Sequence, residues 1–337
     1  MAAAPPLSVL FPVRNGQETV GEALDSILHQ SFSNFELLVV DDGSTDDTGE
    51  ILRQAAREDD RVRLISQERA GIVPALEAAR AKARGAFLAR MDADDISLPG
   101  RFQKQMDLMA SDRRIAACGT GILYVPRESV REGSLRYERW INGLANHESI
   151  EQDLFVECPI PHPTFFLRAS ALESVGGYRD RGWPEDYDLV LRLWEAGGRF
   201  QKVPETHLHW REGPARLSRT HAAYSEDSFR RCKVSFLLRT HLSRGRDVVV
   251  WGAGPVGKAF AKELQRQGGT LVAFVDLDPR KIGQTIYGVP VVSSAGVHQF
   301  PQAFHVAAVA KGRGRDEIRG SLAEAGRVEI RDFVAVA

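Results

Sequence analysis

Three carboxylates within four residues are the part of this chain best suited to chemistry. Asp92, Asp94 and Asp95 follow the apolar run at 86–89, which predicts a buried strand that ends at the acids. Like charges this close raise one another's pKa unless a cation or hydrogen-bond donors offset them. A hard divalent ion, Mg²⁺ or Mn²⁺, takes oxygen ligands and often lies between carboxylates and a substrate's phosphates. The alternative is a solvated acidic loop that caps the next helix, with Asp95 as the cap.

Two other polar clusters are expected at the same edge of a sheet. The first half of the chain alternates apolar runs with helical patterns, which predicts a parallel sheet covered on both faces. Arg14-Asn15-Gly16 follows the first run and Asp41-Asp42-Gly43-Ser44 follows the second. Because ligands bind beyond the carboxyl ends of such strands, these clusters and the acids would meet. A carboxylate after the second strand can accept hydrogen bonds from a base or a ribose.

Phosphate groups would have to be bound without a P-loop. The sequence contains no Gly-x-x-x-x-Gly-Lys-Ser/Thr motif, which argues against a P-loop kinase or ATPase. A metal together with Arg14 or Arg69 would supply the positive charge instead.

A second acidic pair, Glu185-Asp186, opens a helical pattern after a Gly-Trp-Pro turn. Acids in a first helical turn are favoured by the helix dipole, so a purely structural role competes with that of a general base. His162, in a proline-rich stretch, would either line an acceptor site or be structural.

Taken in order, these clusters resemble a family 2 glycosyltransferase with the GT-A fold. The matching stretches are 8–15, 39–46, 91–95 with Leu98, Pro99 and Arg101, 176–178, and 185–189. The resemblance runs from about residue 7 to about residue 225. It implies an inverting transfer of a sugar from a nucleotide-diphosphate sugar, a UDP-sugar first, usually with Mg²⁺ or Mn²⁺.

The resemblance also implies a role for individual residues. The nucleotide-sugar site would comprise Pro12, Arg14, Asn15, Asp42, Arg69, Asp92 and Ala93. Within it, Asp42 and the backbone around Pro12 would hold the base, and Asp92 would face the ribose. Asp94 would bind the metal and the diphosphate. The catalytic pair would be Asp186, as the base that deprotonates the acceptor hydroxyl, with Glu185 beside it.

Some positions depart from the family pattern. Arg14 stands where an aromatic residue is common, and it could add a phosphate contact. Glu77 lies in a helix that often carries an asparagine, which leaves donor contacts from that helix open. A late histidine often completes the metal site, and His207, His209 and His221 all compete for that role.

The last part of the chain carries a glycine motif between a strand and a helix. Gly252, Gly254 and Gly257 form Gly-x-Gly-x-x-Gly, and Asp276 follows about 20 residues later, as in a dinucleotide site. These four residues are the candidate C-terminal nucleotide-binding site. The stretch from Asp276 also resembles the small N-terminal domain of sialic-acid-type sugar O-acyltransferases. Their hexapeptide repeats are absent from this sequence, so we expect a nucleotide or nucleotide-sugar binding or assembly module.

Composition indicates a two-domain globular protein. The chain has 337 residues, 43% of them hydrophobic and 26% charged, with a net charge of −1. This length exceeds most single cores, and the near balance of charge gives no case for a nucleic-acid partner. We predict a GT-A domain at 1–225, a basic helical linker at 226–246 and a Rossmann-like α/β domain at 247–337.

The linker and the cysteines suggest a location. Three scattered cysteines indicate a reducing compartment, and neither a signal peptide nor a membrane span is expected. We therefore expect a cytoplasmic protein. The segment 229–246 resembles a basic amphipathic helix, which would either pack between domains or contact the inner face of an anionic membrane. Association between copies of the chain stays open.

The leading hypothesis is a glycosyltransferase of polysaccharide or glycoconjugate assembly, with a glycan, a lipid-linked molecule or another hydroxyl compound as acceptor. The alternatives are an NAD(P)-dependent oxidoreductase or a nucleotide-sugar binding protein centred on the C-terminal domain. A nucleotidyltransferase would need a longer glycine-rich basic loop than Arg14-Asn15-Gly16.

Overall fold

The chain divides into two compact units. The structure, a computed structural model, describes residues 4–213, 216–310 and 314–337. Unit 1 comprises Met1–Ile150, Pro159–Arg181 and Glu185–Thr220, and unit 2 comprises Glu151–Cys158, Gly182–Pro184 and His221–Ala337. Two short segments from the first part of the chain thus belong to unit 2, whereas the sequence interpretation drew one continuous domain over 1–225.

The first part of the chain alternates strands and helices as predicted. The strands are β1 (Leu7–Val13), β2 (Phe35–Asp42), β3 (Val62–Gln67), β4 (Phe87–Arg90), β5 (Ile96–Ser97), β6 (Ile115–Val125), β7 (Phe166–Arg168) and β8 (Arg199–Arg211). The helices are α1 (Val20–Leu28), α2 (Thr48–Glu58), α3 (Ile72–Lys82), α4 (Arg101–Ser111), α5 (Glu132–Gly143), α6 (His147–Gln152), α7 (Ala169–Ser174), α8 (Glu185–Glu195) and α9 (Leu217–Thr220). Short 3₁₀ turns lie at Arg127–Ser129 and His162–Thr164.

The strands of unit 1 form one mixed sheet in the order β3-β2-β1-β4-β7-β6-β8-β5. The pairs among β1 to β4 are parallel, as the apolar runs predicted. β7 pairs antiparallel with β4 and with β6, and the short β5 pairs antiparallel with β8, whereas β6 and β8 pair parallel. The expectation of a parallel sheet therefore holds for unit 1 except at β7 and β5. The carboxyl ends of β1, β2 and β4 share one edge, and this places the three polar clusters together.

Burial explains why these elements form. β1 is buried along its whole length, which matches a strand covered on both faces. On α1, Val20, Ala23, Leu24 and Ile27 recur at helical spacing, and all four are buried in the core of unit 1.

Asp95 is not a helix cap, contrary to one interpretation of the acidic cluster. It precedes the short strand β5, and α4 begins only at Arg101, after Gly100 in a left-handed conformation with φ 83°. Pro99 accordingly lies before α4.

Unit 2 contains a smaller sheet flanked by helices. Its strands are β9 (Val248–Trp251), β10 (Leu271–Val275), β11 (Thr285–Ile286), β12 (Val289–Val292), β13 (Phe304–Ala307) and β14 (Phe333–Ala335). Its main helices are α10 (Glu226–Arg239), α11 (Pro255–Arg266) and α12 (Gly314–Glu324). The strand order is β11-β12-β10-β9-β13-β14, and every pair is parallel except β11 with β12. The predicted order of strand, glycine loop, helix and strand at 247–275 is confirmed.

The basic segment after residue 225 is part of unit 2. In α10 the apolar residues Cys232, Val234, Phe236 and Leu237 are buried, so this face is covered by packing. The Lys233 ammonium is also buried and donates to the carbonyl oxygens of Val156 (2.6 Å) and Val336 (2.9 Å). In the part of the chain that the structure describes, no helix is long and apolar enough to cross a membrane.

Candidate active site

The loops after β1 and β2 are tied together by hydrogen bonds. Asn15 adopts φ 52°, its backbone N–H donates to Ser44 Oγ (3.0 Å), and its side-chain oxygen accepts from the Thr45 N–H (2.9 Å). The Gly16 N–H donates to Thr48 Oγ1 at 2.8 Å. The Asn15 side chain therefore shapes the rim of the sheet. Arg14 beside it is exposed, and Pro12 lies buried within β1 opposite Val40.

Asp42, at the end of β2, organises the loop after β3. Its Oδ1 accepts from Gln67 Nε2 (2.7 Å) and the Ala70 N–H (2.8 Å), and its Oδ2 accepts from the Gly71 N–H (2.9 Å). Gly43 has a φ of 70° and packs closely against this loop. A Cβ at this position would lie only 2.8 Å from the Arg69 backbone nitrogen. The exposed Arg69 is thus held at the same rim as Asp42.

The acidic cluster after β4 fits a hard divalent cation. One carboxylate oxygen each from Asp92, Asp94 and Asp95 lies within 4.8 Å of the others. Burial and the neighbouring Asp92 raise the pKa of Asp94, and burial with Asp94 raises the pKa of Asp95 well above its usual range. The Oδ2 atom of the fully buried Asp95 has no hydrogen-bond partner among the residues described. Two of the three carboxylates thus have raised pKa values, and a cation such as Mg²⁺ or Mn²⁺ would stabilise their ionised forms.

A second group of contacts fixes the backbone of this cluster. The Arg211 N–H donates to Asp95 Oδ1 (2.9 Å), and its Nη1 donates to the Asp94 carbonyl oxygen (3.2 Å). Ala93 contributes its carbonyl oxygen, which accepts from Thr19 Oγ1 at 2.9 Å. The end of β8 and the start of α1 therefore hold the acids in place.

Arg90 and Arg216 are cations of the site that sequence reasoning missed. Arg90, the last residue of β4, forms an ion pair with Asp92. The Arg216 guanidinium lies 4.3 Å from the centre of the Trp210 ring, and its charge lowers the pKa of Asp94 and Asp95 against the effects that raise it. A signal for Arg90 was present, because an arginine that ends a buried apolar strand needs a partner. Arg216 follows β8 without any such pattern.

Glu185 and Asp186, in the first turn of α8, differ in environment. Glu185 is 3% exposed, and its Oε1 lies 3.5 Å from His162 Nδ1. His162 Nε2 lies 3.3 Å from the Tyr178 hydroxyl. Burial and the charge of Arg90 lower the pKa of His162 well below its usual range, so its ring is neutral. Asp186 is only half-buried, with Oδ1 accepting from the Tyr187 N–H (2.7 Å), and is the more accessible carboxylate.

Glu77 and Arg14, the two departures from the family pattern, differ in their contacts. Glu77 of α3 accepts from the Tyr178 N–H at 2.7 Å and pairs with Arg80 at 2.7 Å, so it fastens the turn at 176–178. Among the residues that the structure describes, no contact assigns Arg14 a structural role.

The three late histidines do not join the acids. Among the described residues, the group able to hold a metal consists of the three aspartates alone. His207 is buried in β8, where burial and the charge of Lys104 lower its pKa. The His209 backbone pairs with Ile96 of β5. His221 belongs to unit 2, where its Nδ1 accepts from the Ala223 N–H at 3.3 Å.

Comparison with known proteins decides the family. The model of the family described as "Glycosyl transferase family 2" matches residues 8–176, which include all three polar clusters. The chain belongs to glycosyltransferase family 2. Two relatives illustrate the likeness of this family 2 member at the level of sequence. The putative glycosyltransferase EpsE of Bacillus subtilis (strain 168) is 33% identical over 233 residues, covering 68% of this chain and 81% of that protein. The O-antigen biosynthesis glycosyltransferase WbnJ of Escherichia coli is 30% identical over 226 residues, covering 65% and 85%.

Solved structures confirm the fold of this family 2 glycosyltransferase. S. aureus TarS 1–349 in complex with UDP has a TM-score of 0.54 at 17% identity, covering 77% of this chain and 71% of that one. The mannosyltransferase PcManGT from Pyrobaculum calidifontis, in complex with GDP-Man and Mn²⁺, has a TM-score of 0.51 at 21% identity, covering 79% and 69%. The predicted GT-A fold with a smaller α/β unit is therefore confirmed.

The glycine loop of unit 2 has the geometry that its motif predicts, but the Asp276 carboxylate already accepts hydrogen bonds from within the protein. A Cβ on Gly257 would lie 1.8 Å from the Gly252 carbonyl oxygen, and one on Gly254 would meet no atom within 4 Å. Asp276 Oδ2 accepts from the Ala253 N–H (2.8 Å) and from Lys281 (2.9 Å). Its Oδ1 accepts from the Asp278 N–H at 2.9 Å. Asp276 therefore closes its own loop, and nucleotide binding by unit 2 stays a prediction.

Proposed function

We propose that this glycosyltransferase moves a sugar from a nucleoside-diphosphate sugar to a hydroxyl acceptor, with inversion and with Mg²⁺ or Mn²⁺, in polysaccharide assembly. The observation that carries the proposal is the carboxylate group Asp92, Asp94 and Asp95 at the strand ends, set in the same unit as the acidic start of α8. The similarity to WbnJ, an O-antigen biosynthesis glycosyltransferase, supports polysaccharide as the product class.

Different residues of the site would bind different parts of the donor. Asp42 and the backbone around Pro12 would hold the base, and Asp92 would face the ribose. Arg14, Arg69 and Arg216 would meet phosphate oxygens. Asp94, with Asp95 beneath it, would hold the metal, which supplies Lewis-acid stabilisation of the departing diphosphate.

The reaction would be a single displacement. The acceptor oxygen bonds to the anomeric carbon while the bond from that carbon to the diphosphate oxygen breaks, and the bonding pair leaves with the nucleoside diphosphate. The hydroxyl proton passes to the Asp186 carboxylate, whose ionised form is favoured at the N-terminus of α8. Glu185, held against His162, would fix the start of that helix. Attack opposite the leaving group inverts the anomeric configuration.

TarS binds UDP and PcManGT binds GDP-Man, so the choice of nucleotide has to be tested directly. We place UDP-sugars first and would assay the full chain with UDP-, GDP- and dTDP-sugars, with Mn²⁺, Mg²⁺ or EDTA. We expect turnover that requires a divalent ion and falls by on the order of 10³-fold in Asp94→Asn, as when a group that stabilises the transition state is removed. NMR of the product should show the inverted anomer.

Asp107→Asn is the matched control, because Asp107 is an exposed carboxylate on α4 outside the site. It should retain wild-type turnover. Turnover that EDTA leaves intact, or an Asp94→Asn variant as active as Asp107→Asn, would contradict the metal-dependent mechanism. A product with the donor's own anomeric configuration would contradict inversion.

A further inference from the structure

Arg90 is a buried cation for which the reaction outlined above has no role. Its side chain is 4% exposed, and its Nε has no hydrogen-bond partner among the residues that the structure describes. The guanidinium contacts Asp92 as an ion pair. A buried charge is costly unless it is paired, so its presence at this position calls for an explanation.

The backbone of Arg90 is held on two sides. Its N–H donates to the Phe165 carbonyl oxygen at 2.8 Å, and its own carbonyl oxygen accepts from Arg101 Nη2 at 2.7 Å. The Phe165 N–H in turn donates to the His162 carbonyl oxygen at 3.0 Å. Two backbone hydrogen bonds therefore connect the end of β4 with the turn that carries His162.

The side chain of Arg90 pairs with Asp92 and is also stabilised, more weakly, by Glu185. Burial opposes its charge, but the charge and hydrogen bond of Asp92, with smaller contributions from Tyr178 and Glu185, raise the pKa of Arg90 above its ordinary value. The Glu185 Oε1 atom lies 3.5 Å from His162 Nδ1, so His162 helps to hold Glu185 in place. The guanidinium thus pairs with a carboxylate on the donor side, while the backbone of Arg90 is linked through Phe165 and His162 to Glu185 on the side of the expected base.

We propose that Arg90 is a positioning residue, which holds Asp92 and the Glu185 end of α8 in fixed places on the two sides of the reacting sugar. This inference rests on the proposed function. Without Arg90, the half-buried Asp92 carboxylate would lose its ion pair and move toward water, and the favourable charge near Glu185 would be lost. A displacement of about 1 Å in such a site can cost about 100-fold in rate.

The test compares Arg90→Gln and Arg90→Lys with wild type in donor turnover, with UDP affinity measured in the presence of Mn²⁺. We expect Arg90→Gln to lower kcat by about 100-fold while the donor KM changes by less than about 10-fold. Arg90→Lys keeps the charge and should recover part of the loss in kcat. In a double-mutant cycle, Arg90→Gln should weaken UDP binding less in an Asp92→Asn background, because the uncompensated charge is then gone.

Glu36→Gln is the matched control for a purely structural role. Glu36 is also buried and ion-paired, with Arg84 at 2.8 Å, but it lies near the amino end of β2, at the opposite edge of the sheet. We expect it to lower the thermal midpoint and to leave kcat within about twofold, as for residues outside the site.

Three results would overturn the inference. The first is an Arg90→Gln variant with wild-type kcat, and the second is a loss of kcat no larger than in Glu36→Gln at equal loss of stability. The third is additivity of Arg90→Gln and Asp92→Asn in UDP affinity. Failure of the proposed function looks different, because the wild type itself would then neither turn over any donor nor bind UDP with Mn²⁺.

Discussion

The Asp42 carboxylate accepts three hydrogen bonds, from Gln67, Ala70 and Gly71, and so fixes the conformation of the loop after β3. Asp41 beside it accepts one from the Ser44 N–H at 3.0 Å. The two neighbouring acids therefore differ in how much structure depends on their negative charge, although the sequence presents them as equivalent.

Asp42→Asn should destabilise the chain and weaken nucleotide binding. The amide would turn an N–H group toward a backbone N–H that needs an acceptor, and an unsatisfied buried group costs about 1–3 kcal/mol. Asp41→Asn is the control, because its remaining oxygen can still accept from Ser44. We expect the free energy of unfolding in urea to fall by about 1–3 kcal/mol in Asp42→Asn and by less than about 1 kcal/mol in Asp41→Asn. Equal losses would contradict the role assigned to Asp42.

Among the elements, local patterns in the sequence predicted the helices and strands well. The helix α1 and the buried strands β1, β2 and β4 follow the alternation of helical patterns and apolar runs that the first half of the sequence shows. Gly257 predicted the strand–loop–helix turn of unit 2, because only a residue without a Cβ fits against the Gly252 carbonyl oxygen.

The polar contacts that complete the site could not be predicted from such patterns. The Arg211 N–H meets Asp95 across 116 residues of sequence. His162 meets Glu185 through a 3₁₀ turn that has no periodicity of its own. Periodicity reports which face of an element is buried, whereas these pairs depend on which elements become neighbours in space. The place of the antiparallel strand β7 between β4 and β6, and the pairing of β6 with β8, were unpredictable for the same reason.

His305 of β13 makes unit 2 sensitive to acid. It is fully buried, its Nδ1 accepts from Trp251 Nε1 of β9 at 3.1 Å, and burial with the charge of Arg327 lowers its pKa to about 4. Its pKa in the unfolded chain is about 6.5, so the unfolded state binds a proton first as the pH falls. Stability should therefore be full above about pH 6.5 and decline between about pH 6.5 and 4, by at most about 3 kcal/mol for this residue.

Urea titrations at several pH values would measure this dependence. His305→Gln keeps an acceptor for the Trp251 N–H but cannot be protonated, so its stability should vary less between pH 7 and pH 5. His298→Gln removes an exposed histidine of the same unit and should leave the dependence unchanged. An acid sensitivity that persists undiminished in His305→Gln would show that other groups cause it, with His241 the next to test because its pKa is also lowered to about 4.

At the scale of the whole molecule, the two units are not consecutive in sequence. Residues 151–158 interrupt unit 1 but belong to unit 2, where Arg319 pairs with Asp153 at 2.6 Å and Arg315 pairs with it at 3.3 Å. Lys233 binds the carbonyl oxygen of Val156, and Leu154 and Phe155 are 1% exposed. A cut near residue 225, where the sequence suggests a domain boundary, would separate this segment from its partners.

A fragment of residues 1–220 should therefore be less stable than its length suggests. Without residues 221–337, Asp153 loses two arginines, the Val156 carbonyl loses Lys233, and two large apolar side chains lose the partners they have within unit 2. Exposing a buried Leu or Phe costs about 1.5–3 kcal/mol each, so the segment should open even where the sheet of unit 1 survives. Hydrogen exchange is the measurement: in the fragment, amides at 151–158 should exchange rapidly while those of β1 and β2 stay protected. If 151–158 stays as protected in the fragment as in the full chain, the segment does not depend on unit 2 for its structure.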